Sequence, residues 1–138
     1  MKDFTLSGTV AMSYEETVER VRGLLAEAGF GVLTEIDLAA TLHAKLGVEI
    51  EPRIILGACR PALAHQALEL DPRVATLLPC NVVVAAADGG ATVEVFDPAV
   101  MSEFSLALAE VATEARTRLS GMMNALANDQ ENTDAARA

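Results

Sequence analysis

Asn81-Val82-Val83-Val84-Ala85-Ala86-Ala87-Asp88-Gly89-Gly90-Ala91-Thr92-Val93-Glu94-Val95-Phe96 decides the fold. A run of small and β-branched residues, a turn rich in glycine and an alternating run follow one another. Glycine tolerates positive φ at the turn, so the two runs fold back as an antiparallel hairpin. Because side chains alternate along a strand, Val82, Val84, Val93 and Val95 share one face. Either they meet the helices or they point away from them, and the remaining face must be polar, open as a groove, or covered by a second subunit.

On the C-terminal side, Asp97-Pro98 predicts the start of a long helix, with a stripe of Phe104, Leu108, Val111, Ala115, Leu119, Met122 and Leu126 at spacings of three and four. On the N-terminal side, Pro61 to Leu70 forms a helix that Asp71-Pro72 ends. Before it lies a strand, Arg53 to Cys59, whose Ile54-Ile55-Leu56 run suits burial on both faces. Gly47 and Pro52 bracket the connection from a short helix or loop, Leu38 to Leu46, and Phe30 to Asp37 is a second strand. Ser13-Tyr14-Glu15-Glu16 is a capping box that opens a helix buried along Tyr14, Val18, Val21, Leu25 and Ala28, with Gly29 as its stop. Phe4 to Met12 alternates as the first strand.

The order β-α-β(4)-α, with short helical inserts around the third strand, predicts a two-layer α+β sandwich in which helices cover one face of an antiparallel sheet. Residues 1–127 form a single domain, and 128–138 a disordered polar tail. No internal repeat is present.

Over 138 residues, 20 acidic side chains stand against 10 basic ones, a net charge of -10. Nucleic acid is a poor partner for such a chain, since Lys and Arg must replace the counterions of its phosphates. The longest aliphatic run, Val82 to Ala87, is far short of a membrane span. The first residues carry a charge and lack the apolar core of a signal peptide, so a soluble, cytoplasmic protein is expected. Two cysteines are too few for a disulfide scaffold.

Cys59 ends the third strand and Cys80 precedes the fourth, so antiparallel pairing puts both at one end of the sheet. Cys59 also precedes a helix N-terminus and adjoins Arg60, two features that favour a thiolate. The group Cys59, Arg60, Cys80 and Asn81 is therefore the leading candidate site, for a small ligand or for thiol chemistry. The plainer reading makes both cysteines small apolar residues packed at strand ends. Neither His43 nor His65 completes a metal-ligand spacing, and no metal or cofactor is expected. Glu35 and Asp37, two apart on one strand, form a secondary acidic candidate, although a solvated strand end or a salt bridge to Lys45 or Arg53 accounts for them as well. Gly29, Gly31 and Gly57 lack the spacing of a dinucleotide loop.

Four ordered strings, Gly29-Phe30-Gly31-Val32-Leu33-Thr34-Glu35-Ile36-Asp37, Lys45-Leu46-Gly47, Ile55-Leu56-Gly57-Ala58-Cys59 and Leu77-Leu78-Pro79-Cys80-Asn81-Val82-Val83-Val84, resemble the family known as domain of unknown function number 302. The resemblance runs from about Phe4 to Met123. It implies a fold like one repeat of the TATA-box-binding protein, and it implies dimers. It implies no DNA binding, because fold does not carry function. The family pattern after the first cysteine usually reads Asn-Pro, whereas this chain has Arg60-Pro61. The family supplies no catalytic residues to carry over. The expected function is accordingly a homodimeric binding domain for a small-molecule ligand or partner. The alternatives are a thiol redox or persulfide-transfer protein, with Cys59 as nucleophile and Cys80 resolving its product, and a purely structural dimerisation module.

Overall fold

A computed structural model describes the backbone of residues 3–137 and side chains through residue 129; Met1, Lys2 and Ala138 lie outside it. The elements are β1 (Thr5–Val10), α1 (Tyr14–Glu27), β2 (Gly31–Asp37), α2 (Leu38–Leu46), β3 (Arg53–Cys59), α3 (Pro61–Leu70), β4 (Cys80–Ala87), β5 (Gly90–Phe96), α4 (Met101–Phe104) and α5 (Ala109–Arg137). The strands form one antiparallel sheet in the order β1-β5-β4-β3-β2. This is the two-layer α+β architecture that the hairpin and its flanking helices predict.

Both ends of α1 are closed by local chemistry. The Ser13 hydroxyl oxygen accepts from the Glu16 amide at 3.1 Å. At the other end Gly29 turns left-handed at φ 88°, its N–H donates to Ala26 O, and the Phe30 N–H donates to Leu25 O. Leu25 and Phe30 are both buried, which completes a Schellman stop with its apolar contact.

The valine ambiguity resolves toward the helices. Val82, Val84, Val93 and Val95 are fully buried in a core shared with Val18, Val21, Leu24 and Leu25 of α1 and with Leu119, Met122 and Leu126 of α5. Each such side chain contributes about 1.5–3 kcal/mol by leaving water. The opposite face is mixed. Ile36, Ile55 and Val83 stand in register across β2, β3 and β4, and the row ends in a Ser7–Glu94 hydrogen bond between β1 and β5.

The final helix departs from expectation. Asp97 accepts from the Ala99 amide at 3.0 Å and caps only a 3-10 turn, Pro98–Val100. The four-residue α4 stops at Ser105, whose backbone is extended; a second 3-10 turn, Leu106–Leu108, leads into α5. Phe104, predicted to head the buried stripe, is 67% exposed, and the observed stripe is Leu108, Ala112, Ala115, Leu119, Met122 and Leu126. The backbone of α5 stays helical to Arg137, past the point where the stripe ends and a tail at 128–138 is expected. The Ala, Gln, Glu and Arg residues there propagate a helix that is already nucleated.

Candidate functional site

The end of the sheet where β3 stops and β4 begins holds the two cysteines. Ala58 pairs with Cys80, so Cys80 shares the helix-covered face, and Cys59, next along β3, borders the same cavity at the strand's end. Arg60 is the N-cap of α3 and makes no side-chain cap, while Pro61 occupies the first turn, where its missing N–H costs nothing. Phe30, Cys59, Arg60, Leu63, Cys80 and Met101 border a cavity of about 30 Å³. That is the volume of one water, or of a comparably small buried group.

Burial governs the thiols. It pushes Cys80 up to about 11, with the neighbouring Cys59 adding to the effect. Burial raises the Cys59 thiol as well. The positive potential of Arg60 and the α3 N-terminus, expected to favour a thiolate, does not prevail over that burial; the Arg60 guanidinium lies against Gly29. Both sulfurs are free thiols, protonated near neutral pH.

Asn81 stands apart from its predicted companions. It is exposed, pairs with Gly57, and does not border the cavity. Glu35 and Asp37 share the helix-facing side of β2 but serve separate partners. Glu35 forms an ion pair with Arg22 of α1, in place of the expected Lys45 or Arg53, and Asp37 Oδ1 accepts from the Ala40 amide at 2.9 Å to cap α2. His65 pairs with Glu69 at 2.9 Å on the exposed side of α3. Among the described residues no group of three metal-ligating side chains converges. Nor is any described helix long and apolar enough to cross a membrane.

Phe30, Leu63 and Arg118 border this region without having been singled out from the sequence. Phe30 and Leu63 carry a weak signal, the first residue past a glycine stop and the third position of a helix. Arg118 carries none. It lies on α5, donates to Ala28 O at 3.3 Å, and approaches Glu114 at 3.7 Å.

The family model for the domain of unknown function DUF302 matches residues 6–126. Among solved structures, the chain is similar to one described as the crystal structure of an uncharacterized conserved protein DUF302 from Bacillus stearothermophilus. The two are 28% identical, the match covers 89% of this chain and 98% of that one, and the TM-score is 0.82. No curated protein matches the chain.

Proposed function

The chain belongs to the DUF302 family, and from that premise we propose that it is a cytoplasmic, homodimeric domain that binds a small ligand or partner at the cysteine end of its sheet. The observation that carries this is the apolar recess bounded by Phe30, Cys59, Leu63 and Cys80, which is closed down to about 30 Å³ in the free protein, so that a ligand enters it by displacing α3 or Met101. Sites for small molecules are walled mainly by apolar side chains in this way. The cysteines serve as walls in this proposal, and Asn81 as a residue of the outer face. The test is a fragment screen by amide NMR shifts. Fragments that move the Phe30, Cys59 and Leu63 amides, and lose that effect in the cavity-filling Ala64→Leu, support the proposal; a screen in which none does so rejects it.

Dimerisation rests on the Ile36, Ile55 and Val83 row, an apolar run across β2, β3 and β4 on the mixed face away from the helices. Sedimentation at micromolar concentration is expected to give about twice the 14.5 kDa chain mass, and a monomer contradicts it. The likeness to a TATA-box-binding protein repeat belongs to the same proposal; it rests on element order and carries no nucleic-acid partner, given the net charge of -10. The division into a domain over 1–127 and a tail over 128–138 does too, the apolar stripe of α5 ending at Leu126.

The thiol redox and persulfide alternative draws on the nearness of Cys59 and Cys80, but raised thiols are poor nucleophiles. Loss of a measured turnover in Cys59→Ser would revive it. A purely structural dimerisation module predicts that filling the cavity changes nothing beyond stability.

A further inference from the structure

We propose that Arg60 and Arg118 together form an anion site for the carboxylate of a small monocarboxylic acid, whose apolar part lies in the groove between α1 and α5. This goes beyond the ligand-binding reading above: the groove and the cysteine cavity share no lining residue, and of the two arginines only Arg60 borders the cavity.

Arg60 arrives from the start of α3 and Arg118 from α5, yet both place a guanidinium nitrogen within 4 Å of the point where a Gly29 Cβ would stand. The left-handed glycine has no Cβ, and the Arg60 guanidinium fills the place one would take. The Nε–H of each arginine is buried without an acceptor. A buried donor left unpaired is costly, more so when it belongs to a charged group. Arg118 spends its outer nitrogens on Ala28 O and Glu114, whereas the Arg60 side chain enters no ion pair among the described residues.

The rest of the molecule sharpens the point. Acids outnumber bases two to one, and Arg20, Arg22, Arg73 and Arg116 are matched with Asp129, Glu35, Asp71 and Asp97. Among the described residues no carboxylate bridges the two arginines, which repel each other until one does. A guanidinium presents parallel N–H donors at the spacing of carboxylate oxygens, so an external carboxylate satisfies both side chains at once. Arg118 also borders a groove of about 250 Å³ walled by Leu24, Ala28, Met122 and Ala125, with Glu27 at its rim. Those walls receive an aliphatic tail, and Glu27 disfavours a second carboxylate in the groove.

The full chain is titrated with hexanoate, hexanol and inorganic phosphate by calorimetry, with the arginine Nε–H resonances followed by NMR. One hexanoate per chain is expected, with shifts of both Nε–H signals and with hexanol and phosphate at least about tenfold weaker. Arg60→Gln and Arg118→Gln are each expected to weaken hexanoate about tenfold or more. Absence of saturation, phosphate binding as tightly as hexanoate, or affinity unchanged in both variants overturns the proposal. Should Arg60→Gln fail to fold, the half-exposed Arg118 carries the test alone. Arg118 does not border the cysteine cavity. Fragments still bound there while hexanoate fails reject the carboxylate site and leave the cavity reading standing; hexanoate retained with no fragment at the cavity does the reverse.

Discussion

One chemical change, glycine to alanine, is expected to have three different effects at Gly121, Gly89 and Gly90. Gly121 lies on the exposed face of α5, and a Cβ there meets nothing within 4 Å. Alanine therefore only removes conformational freedom from the unfolded chain, and the protein gains about 0.5–1 kcal/mol. At Gly89 the space is equally open, but φ is +78°, so an L-side chain meets its own backbone and the protein loses about 1 kcal/mol. Gly90 has ordinary φ but no space: its Cβ would coincide with Val10 O and stand 2.9 Å from Val10 C and Ala11 Cα. These are backbone atoms and cannot swing aside. To make room, β1 must withdraw at Val10, which is 4% exposed and paired with Ala91. Val10 burial accounts for roughly 1.5–3 kcal/mol and one ladder hydrogen bond for about 1, from which the unfolded-state gain subtracts under 1, leaving a loss of about 2–3 kcal/mol. Urea unfolding followed by far-ultraviolet circular dichroism measures all three in a chain without tryptophan. Equal losses at Gly89 and Gly90, or a loss at Gly121, would refute the reasoning.

From neutral pH to about 9 stability is expected to be flat, and from about 9, where an unfolded Cys80 ionises, it falls to about 11, because the unfolded chain releases a proton that the folded one keeps. The loss from Cys80 is roughly 2–3 kcal/mol; denaturant titrations across that window should show the slope, and Cys80→Ala should lose most of it, keeping the part that the raised Cys59 and Tyr14 contribute. Leu119→Ala, at a fully buried site, should cost about 3 kcal/mol by thermal unfolding, whereas Phe104→Ser should cost under about 0.5, the reverse of what an unbroken final helix would give. Ser13→Ala removes the α1 cap and should lower the urea midpoint by an amount corresponding to about 1 kcal/mol.

Where a local signal and the tertiary outcome agree, the sequence is informative. The bounds of β3 and α3, the Ser13 cap, the Gly29 stop and the Asp88–Gly89–Gly90 turn are all set within a few residues of themselves, and all are found. The break at Ser105 falls where no glycine or proline announces it, so the uninterrupted spacing after Pro98 reads as one helix. The candidate site shows the same division. Cys59 and Cys80 are legible as neighbours because antiparallel pairing fixes them, but the burial that raises their thiols comes from α3 and the turns packed against them. Arg118 reads as one more polar residue facing solvent on α5; only the docking of α5 against α1 brings it over Gly29 beside Arg60.

The sheet order has a kinetic consequence. β2, β3, β4 and β5 pair as successive neighbours, so that part of the sheet can zip up as the chain lengthens. β1 instead pairs with β5, Thr5 against Phe96, across roughly ninety residues. During synthesis at about 5–20 residues per second, the first strand made waits roughly 5–20 s for its partner. The earliest strand of this sheet to be made is thus the last to enter it.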